Sequence, residues 1–476
     1  MTDLRVLHPT WRTWLRALCS LGLCLAATAH AAQAPITSLQ RSLDAAFSQH
    51  ALDIQGWQTE HGSQVLYVPN LRLPMFDLQV VVGGSFHDDG LTGLAQLTAG
   101  LIDKGSVSRS AAALALTLDD NAAQFGVVAG PQNTVFKVRG LSHTAQREAI
   151  VEVIADMLGN PAFAPDAMAK EKVRLLNLDK AREQSAAARA TAQLFAHVFA
   201  GHPYAQTRAA HPETLQGITV EQVRDFHQRL YSAGNSVIVI VGNVTREEAH
   251  QMAAQISAAL PPGPAAAAFA VPPASEPEIY HLEHPGTQTV LTVAVPSVPR
   301  RHPDNAALML ANEILGGSGI NNRLMQELRT RRGLTYGAAS QLRQMPQAGI
   351  WGLQLSVAPQ YRDATLALVE TLLQRYAEHG PTEQELDDAK RKLHGQMLRS
   401  SVSNVDIADQ LRTLGFHQLP MSYYQTLLAE LHAVTLDELK VVLKKHLDSH
   451  RLVQVSAGPS VEQRPLREPA LVDAAP

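Results

Sequence analysis

Twenty histidines in a chain of 476 residues invite a search for metal-ligand spacings. Neither His-Glu-x-x-His nor the inverted His-x-x-Glu-His, the two arrangements that set imidazoles and a carboxylate on one helix face, occurs anywhere in the chain. The nearest approach is His281-Leu-Glu-His284, whose spacing does not suit one face of a helix and which reads as a solvated strand entrance. His202-Pro-Tyr204 reads as a loop in which proline fixes the backbone. His87, Asp88 and Asp89 stand in the turn-like stretch Gly84–Gly90, where an imidazole beside two carboxylates could serve an independent hydrolase, although such stretches are more often solvated loops. No Gly-x-Ser-x-Gly elbow, phosphate loop or dinucleotide fingerprint is present. On their chemistry alone, Arg329 reads as one cation of a solvated run with Arg331 and Arg332, and Tyr336 as a strand-capping tyrosine.

The elements that would position these groups are written twice. Leu215-Gln-Gly-Ile-Thr-Val-Glu-Gln-Val223 recurs in character as Leu431-His-Ala-Val-Thr-Leu-Asp-Glu-Leu439, offset by 216 residues. Pro165 before the helical run 166–182 pairs at the same offset with Pro381 before 382–398. Agreement of two separate pairs on one offset indicates a duplicated unit. Between the copies, residues 260–277 are rich in proline and alanine and can form neither a helix nor a central strand, so they read as a linker. Short β-branched runs over 76–82, 134–138, 236–242, 288–295 and 350–357 predict strands. Apolar residues at helical spacing predict helices over 94–102, 145–158, 221–231, 304–315 and 366–379. Thr219 and Thr435 are the expected N-caps of paired helices. The expected fold class is α+β, as two homologous domains with antiparallel-rich sheets covered by helices.

Arg5, Arg12 and Arg16 flank the apolar run 17–28, and Ala29-His30-Ala31 is a small-x-small cleavage site, so residues 1–31 read as a signal peptide and the chain as periplasmic. Both cysteines, Cys19 and Cys24, fall inside that segment, which excludes disulfides and thiolate chemistry from the mature chain. Cleavage removes three arginines and one aspartate from a chain of formal net charge −4. An acidic protein without basic clusters is a poor candidate for nucleic acid or anionic membrane. The resulting partition is signal peptide 1–31, first domain 32–259, linker 260–277, second domain 278–463 and tail 464–476.

The stretch Gly90-Leu-Thr-Gly-Leu-Ala-Gln-Leu-Thr-Ala-Gly-Leu-Ile-Asp-Lys-Gly-Ser106 resembles the segment in which pitrilysin/insulinase-type peptidases of family M16 carry an inverted zinc motif. The resemblance places Gln96 at the first histidine, Ala99 at the glutamate and Gly100 at the second histidine. The family's third ligand, a glutamate in a helix resembling 163–178, is replaced by Leu178. His202-Pro-Tyr204 and 236–244 follow the family pattern, and Leu315–Tyr336 resembles the glycine-rich loop and Arg/Tyr segment of the family's C-terminal domains. The resemblance implies a chain without cofactor of its own, working as the non-catalytic subunit of a heterodimer whose homologous partner holds the zinc. Arg329 and Tyr336 would complete the partner's site in trans. Gly316, Gly317 and Gly319 would let a peptide backbone approach, and Gln124 to Ala129 would offer an edge strand to an unfolded peptide or small protein. The competing expectation is a peptide-binding or assembly module that adds no group to any reaction.

Overall fold

The computed structural model describes residues 52–88, 90–206, 211–466 and 468. The expected signal peptide lies outside them, and Asp53–Pro476 forms one compact unit. No helix among the described residues is long and apolar enough to cross a membrane.

The first half runs β1 (Gln55–Gln58), β2 (Gln64–Pro69), β3 (Met75–Gly83), α1 (Leu94–Leu101), α2 (Ala111–Asp120), β4 (Gln124–Ala129), β5 (Asn133–Leu141), α3 (Thr144–Gly159), α4 (Pro165–Glu183), α5 (Ala186–Val198), α6 (Pro212–Gly217), α7 (Val220–Leu230), β6 (Ser236–Gly242) and α8 (Arg246–Ala259). The second half runs β7 (Glu278–Glu283), β8 (Thr289–Ser297), α9 (Asn305–Gly316), a π-helical turn (Met325–Thr330), β9 (Ala338–Gln344), β10 (Gly349–Val357), α10 (Arg362–His379), α11 (Glu383–Arg399), α12 (Asn404–Phe416), α13 (Tyr423–Ala433), α14 (Leu436–His446) and β11 (Val453–Gly458).

The duplication is explicit in the topology. The sheet orders are β1-β2-β6-β3-β5-β4 and β7-β11-β8-β10-β9. In each, a strand from the start of its half pairs parallel with the half's last strand, as β2 with β6 and β7 with β11, while all other pairings are antiparallel. Thr219 and Thr435 each close a capping box, with Gln222 and Glu438. The proline pair is less regular: Pro165 is the first residue of α4, whereas Pro381 precedes the N-cap Thr382 of α11. Residues 261–277 contain no helix or strand.

Each half also lends a helix to the other's sheet. Ala190, Leu194, Phe195 and Val198 of α5 share a core with Ala294, Ile350, Val453 and Val455 of the second sheet. In return α12 packs on β3 and β6, with Ala408, Leu411 and Leu414 fully buried. Strand β3 shows the local logic: Phe76, Leu78 and Val80 enter the first core, while the alternate residues Asp77 and Gln79 face the other way. Asp77 pairs with Arg139 across the strand register, and Gln79 donates to Asp409 of α12 at 2.9 Å, beside the Lys137–Asp409 ion pair at 3.0 Å.

Candidate functional site

Helix α1 begins after Gly93, which holds φ at +106°, a left-handed conformation that costs glycine little. Leu94, Leu97 and Leu101, at helical spacing, anchor it to the core, and its outer side meets α4. Gln96 is half-buried and lines a cavity of about 60 Å³ with Asp88, Ala129, Arg182 and Gln206. Ala99 is fully buried. Gly100 lies under the carboxylate of Glu171, so near that a Cβ there would fall 1.9 Å from Oε1. Glu171 is itself 4% exposed and gripped on both oxygens by Arg174, Nε to Oε2 at 2.8 Å and Nη2 to Oε1 at 2.5 Å. Leu178, one face further along α4, is 39% exposed.

These four positions therefore offer one amide, a methyl, a bare Cα and an isobutyl group. A zinc hydrolase needs three donors and a carboxylate that takes a proton from the metal's water. The residues present do not fit the metal, since the carboxylate beside them is committed to Arg174. Glu171 stands at none of the expected ligand positions, and its burial depends on how α4 crosses α1, which local sequence does not record.

Arg329 and Tyr336 differ from their neighbours. Arg331 and Arg332 both pair with Glu327, at 3.1 and 2.8 Å, so the basic run is not uniformly solvated. Arg329 is exposed, and among the described residues its guanidinium has no hydrogen bond or ion pair. It belongs to the π-helical turn, a geometry concentrated at functional sites. Tyr336 stands in a bend ahead of β9, 88% exposed and without a hydrogen-bond partner among the described residues.

The glycine loop has intrachain duties. A Cβ on Gly316 would strike the Ser340 backbone N at 2.5 Å, and one on Gly317 the Glu313 carboxyl at 2.4 Å. Gly319 holds φ +91°, and the Asn322 amide ties the loop by donating to Gly317 O at 2.7 Å and Gly319 O at 2.9 Å. Packing and backbone geometry thus already require these glycines, whatever approaches them. Strand β4 pairs only with β5, so its outer edge carries unpaired backbone groups. Gln124 and Ala129 are exposed at its ends, while Phe125 and Val127 turn to the core.

The histidine candidates resolve into structural parts. His87 Nε2 donates to Ala267 O at 2.9 Å and its ring stacks on Phe269 at 4.2 Å; Asp88 is buried and accepts from Gly90 N, and Asp89 lies outside the described residues. His202 accepts from Tyr204 N through Nδ1 and donates through Nε2 to Ala270 O at 3.0 Å. Both rings clip the 261–277 segment down. His281 of β7 bonds Ser456 Oγ of the neighbouring β11 at 2.8 Å, and the His284 ring bonds Pro285 O. A grouping missed in the sequence joins His302, Asp304 and His446 at the start of α9. There Lys445 Nζ and His446 Nε2 already occupy Asp304 Oδ2, at 2.7 and 2.6 Å, and His302 Nδ1 accepts from Asp304 N.

A duplicated α+β chain that keeps the frame of an inverted metal-binding helix and lacks its donors is a non-catalytic homologue of a metallopeptidase. Residues 75–211 match the model of insulinase (peptidase family M16), and 217–393 match that of the peptidase M16 inactive domain. A solved peptidase M16 inactive domain from Pseudomonas fluorescens is 38% identical, superposes with a TM-score of 0.84 and covers 87% of this chain and 100% of its own. The non-peptidase homolog YmxG of Helicobacter pylori is 25% identical over 82% of this chain and 90% of its own length. An uncharacterized zinc protease of Mycobacterium bovis is 24% identical over 81% and 89%. The chain belongs to peptidase family M16, as an inactive, peptidase-like member.

Proposed function

We propose that this chain is the non-catalytic subunit of an exported, two-subunit M16 peptidase and lends Arg329 and Tyr336 to the zinc site of a homologous partner. The observation that carries the reading is the state of that pair: a guanidinium with no ion pair among the described residues and a tyrosine 88% exposed, in a chain whose own α1 carries no imidazole or carboxylate. Aromatic and arginine side chains left unpartnered on a loop are the types that dominate protein interfaces. In this reading the guanidinium binds substrate carbonyls and the phenol donates to the oxyanion formed as the partner's activated water attacks. Peptides enter extended, adding a strand to the free edge of β4 between Gln124 and Ala129.

The test is co-expression with a zinc-bearing M16 homologue. This chain alone should bind no zinc at α1 and cleave no peptide, and the pair should co-elute and hydrolyse unfolded peptides. Tyr336→Phe should lower kcat of the pair by about 100-fold, the usual loss for one oxyanion donor, with co-elution unchanged. The second reading, an assembly module with no catalytic contribution, rests on the same free β4 edge; it gains if the Arg329→Ala/Tyr336→Phe double variant turns over substrate at the wild-type rate.

A further inference from the structure

Away from α1 and from the Arg/Tyr loop, a cavity of about 960 Å³ opens between the first sheet, the 261–277 segment and two loops of the second half. That volume lies within the range of small-molecule sites. Its large apolar side chains include Trp57, Leu66, Phe86, Phe269, Phe416 and Met421, and Tyr204, His87 and several glutamines add polar atoms. Among the described residues no Asp, Glu or Lys lines it, and the cationic groups are Arg300 and Arg301, on the loop after β8.

The two arginines are not equivalent. Arg301 donates to the carbonyls of His417 and Gln418, where α12 ends and the helix dipole is negative. Arg300 is half-buried, its Nε is fully covered with no hydrogen-bond partner, and among the described residues it has no ion pair. A covered guanidinium N–H without an acceptor is costly. His417, which also lines the cavity, is pushed down to about 4 by burial and by Arg300, Arg412 and Arg301, so it stays neutral near pH 7 and adds no second charge.

We infer that this cavity is a binding site for an apolar molecule ending in a single carboxylate, whose oxygens pair with Arg300 while its body lies on Trp57, Phe416 and Met421. The two terminal nitrogens of Arg300, which have no hydrogen bond among the described residues, match the two oxygens of one carboxylate. The apolar walls then take the remainder of the ligand. The inference is independent of subunit pairing, because the whole cavity is built from one chain.

Titration calorimetry on the full mature chain tests it with decanoate, decanol and decylammonium. Decanoate should bind saturably at one site, with decanol at least tenfold weaker and decylammonium not at all. Arg300→Gln should weaken decanoate about tenfold or more, as expected for a lost charged hydrogen bond, while Arg331→Gln leaves it unchanged and both variants melt with the wild type. If Arg300→Gln fails to fold, the preference of the unmutated protein for decanoate over decanol decides. N-acetyl-trileucine with a free and with an amidated C-terminus separates the two sources of such a ligand: tighter binding of the free acid than of decanoate assigns a peptide end, the reverse a fatty acid. Absence of saturable binding by either acid, equal affinity for decanol, or an unchanged Arg300→Gln variant overturns the assignment.

Discussion

At the scale of single residues, the Gly100 position is covered rather than open. The Glu171 carboxylate covers Gly100, and Arg174 holds it there. Gly100→Ala would drive a methyl against Oε1 and displace a buried, charge-paired group. We expect a loss of about 1–3 kcal/mol, the cost of overpacking, read as a lower denaturant midpoint. His227 makes a second residue-scale prediction. Its Nε2 donates to Leu158 O at 2.8 Å, it is 1% exposed, and burial pushes it down to about 4 although that bond opposes the shift. The unfolded chain binds this proton near pH 6.5 and the folded chain only near 4, so stability is full above 6.5 and falls as pH drops through that window. For His227 alone the loss approaches about 3 kcal/mol by pH 4. Melting temperatures measured from pH 7 to 4 should fall accordingly, and less steeply in His227→Gln, which keeps a donor to Leu158 O.

Among the elements, two helix glycines answer to opposite constraints. Gly415, near the end of α12, faces the first sheet, where a Cβ would meet Val237 Cγ1 at 2.4 Å. Gly395, inside α11, has only the flexible Arg399 Nη1 at 3.4 Å. Gly415→Leu should wedge α12 off β6 and cost about 3 kcal/mol. Gly395→Ala should stabilise by about 0.5–1 kcal/mol, because alanine is the better helix former. Chemical denaturation of the two variants side by side checks both signs. The same contrast limits what sequence reveals. The helix periods of α1, α3 and α7 were readable because their apolar stripes face a core of the same half. The packing of α5 and α12 was not, since each buries its apolar residues against a sheet from the other half.

For the whole molecule, that exchange makes the halves interdependent. Each would expose the sheet face that the other's helix covers, so the segment 261–277 is not what keeps them together. Cleavage of the segment near Pro272, beyond the clips from His87 and His202, should leave the two fragments co-eluting in size-exclusion chromatography. Expressed separately, fragments 53–260 and 278–466 should aggregate and regain solubility when refolded as a mixture.

What the sequence determined by itself was the duplication, the α+β class and the absence of donors at Gln96, Ala99, Gly100 and Leu178. The first two follow from residue identity and local period, which need no third dimension; the four positions follow from the resemblance to family M16. Tertiary structure alone decided that Glu171, held by Arg174, covers Gly100, that Arg331 and Arg332 pair with Glu327 while Arg329 has no ion pair among the described residues, and that Arg300 faces a cavity whose described lining has no acidic side chain. Each of these is a property of which side chains meet across distant segments. Charge pairing and burial are set by those meetings, and a linear spacing does not record them.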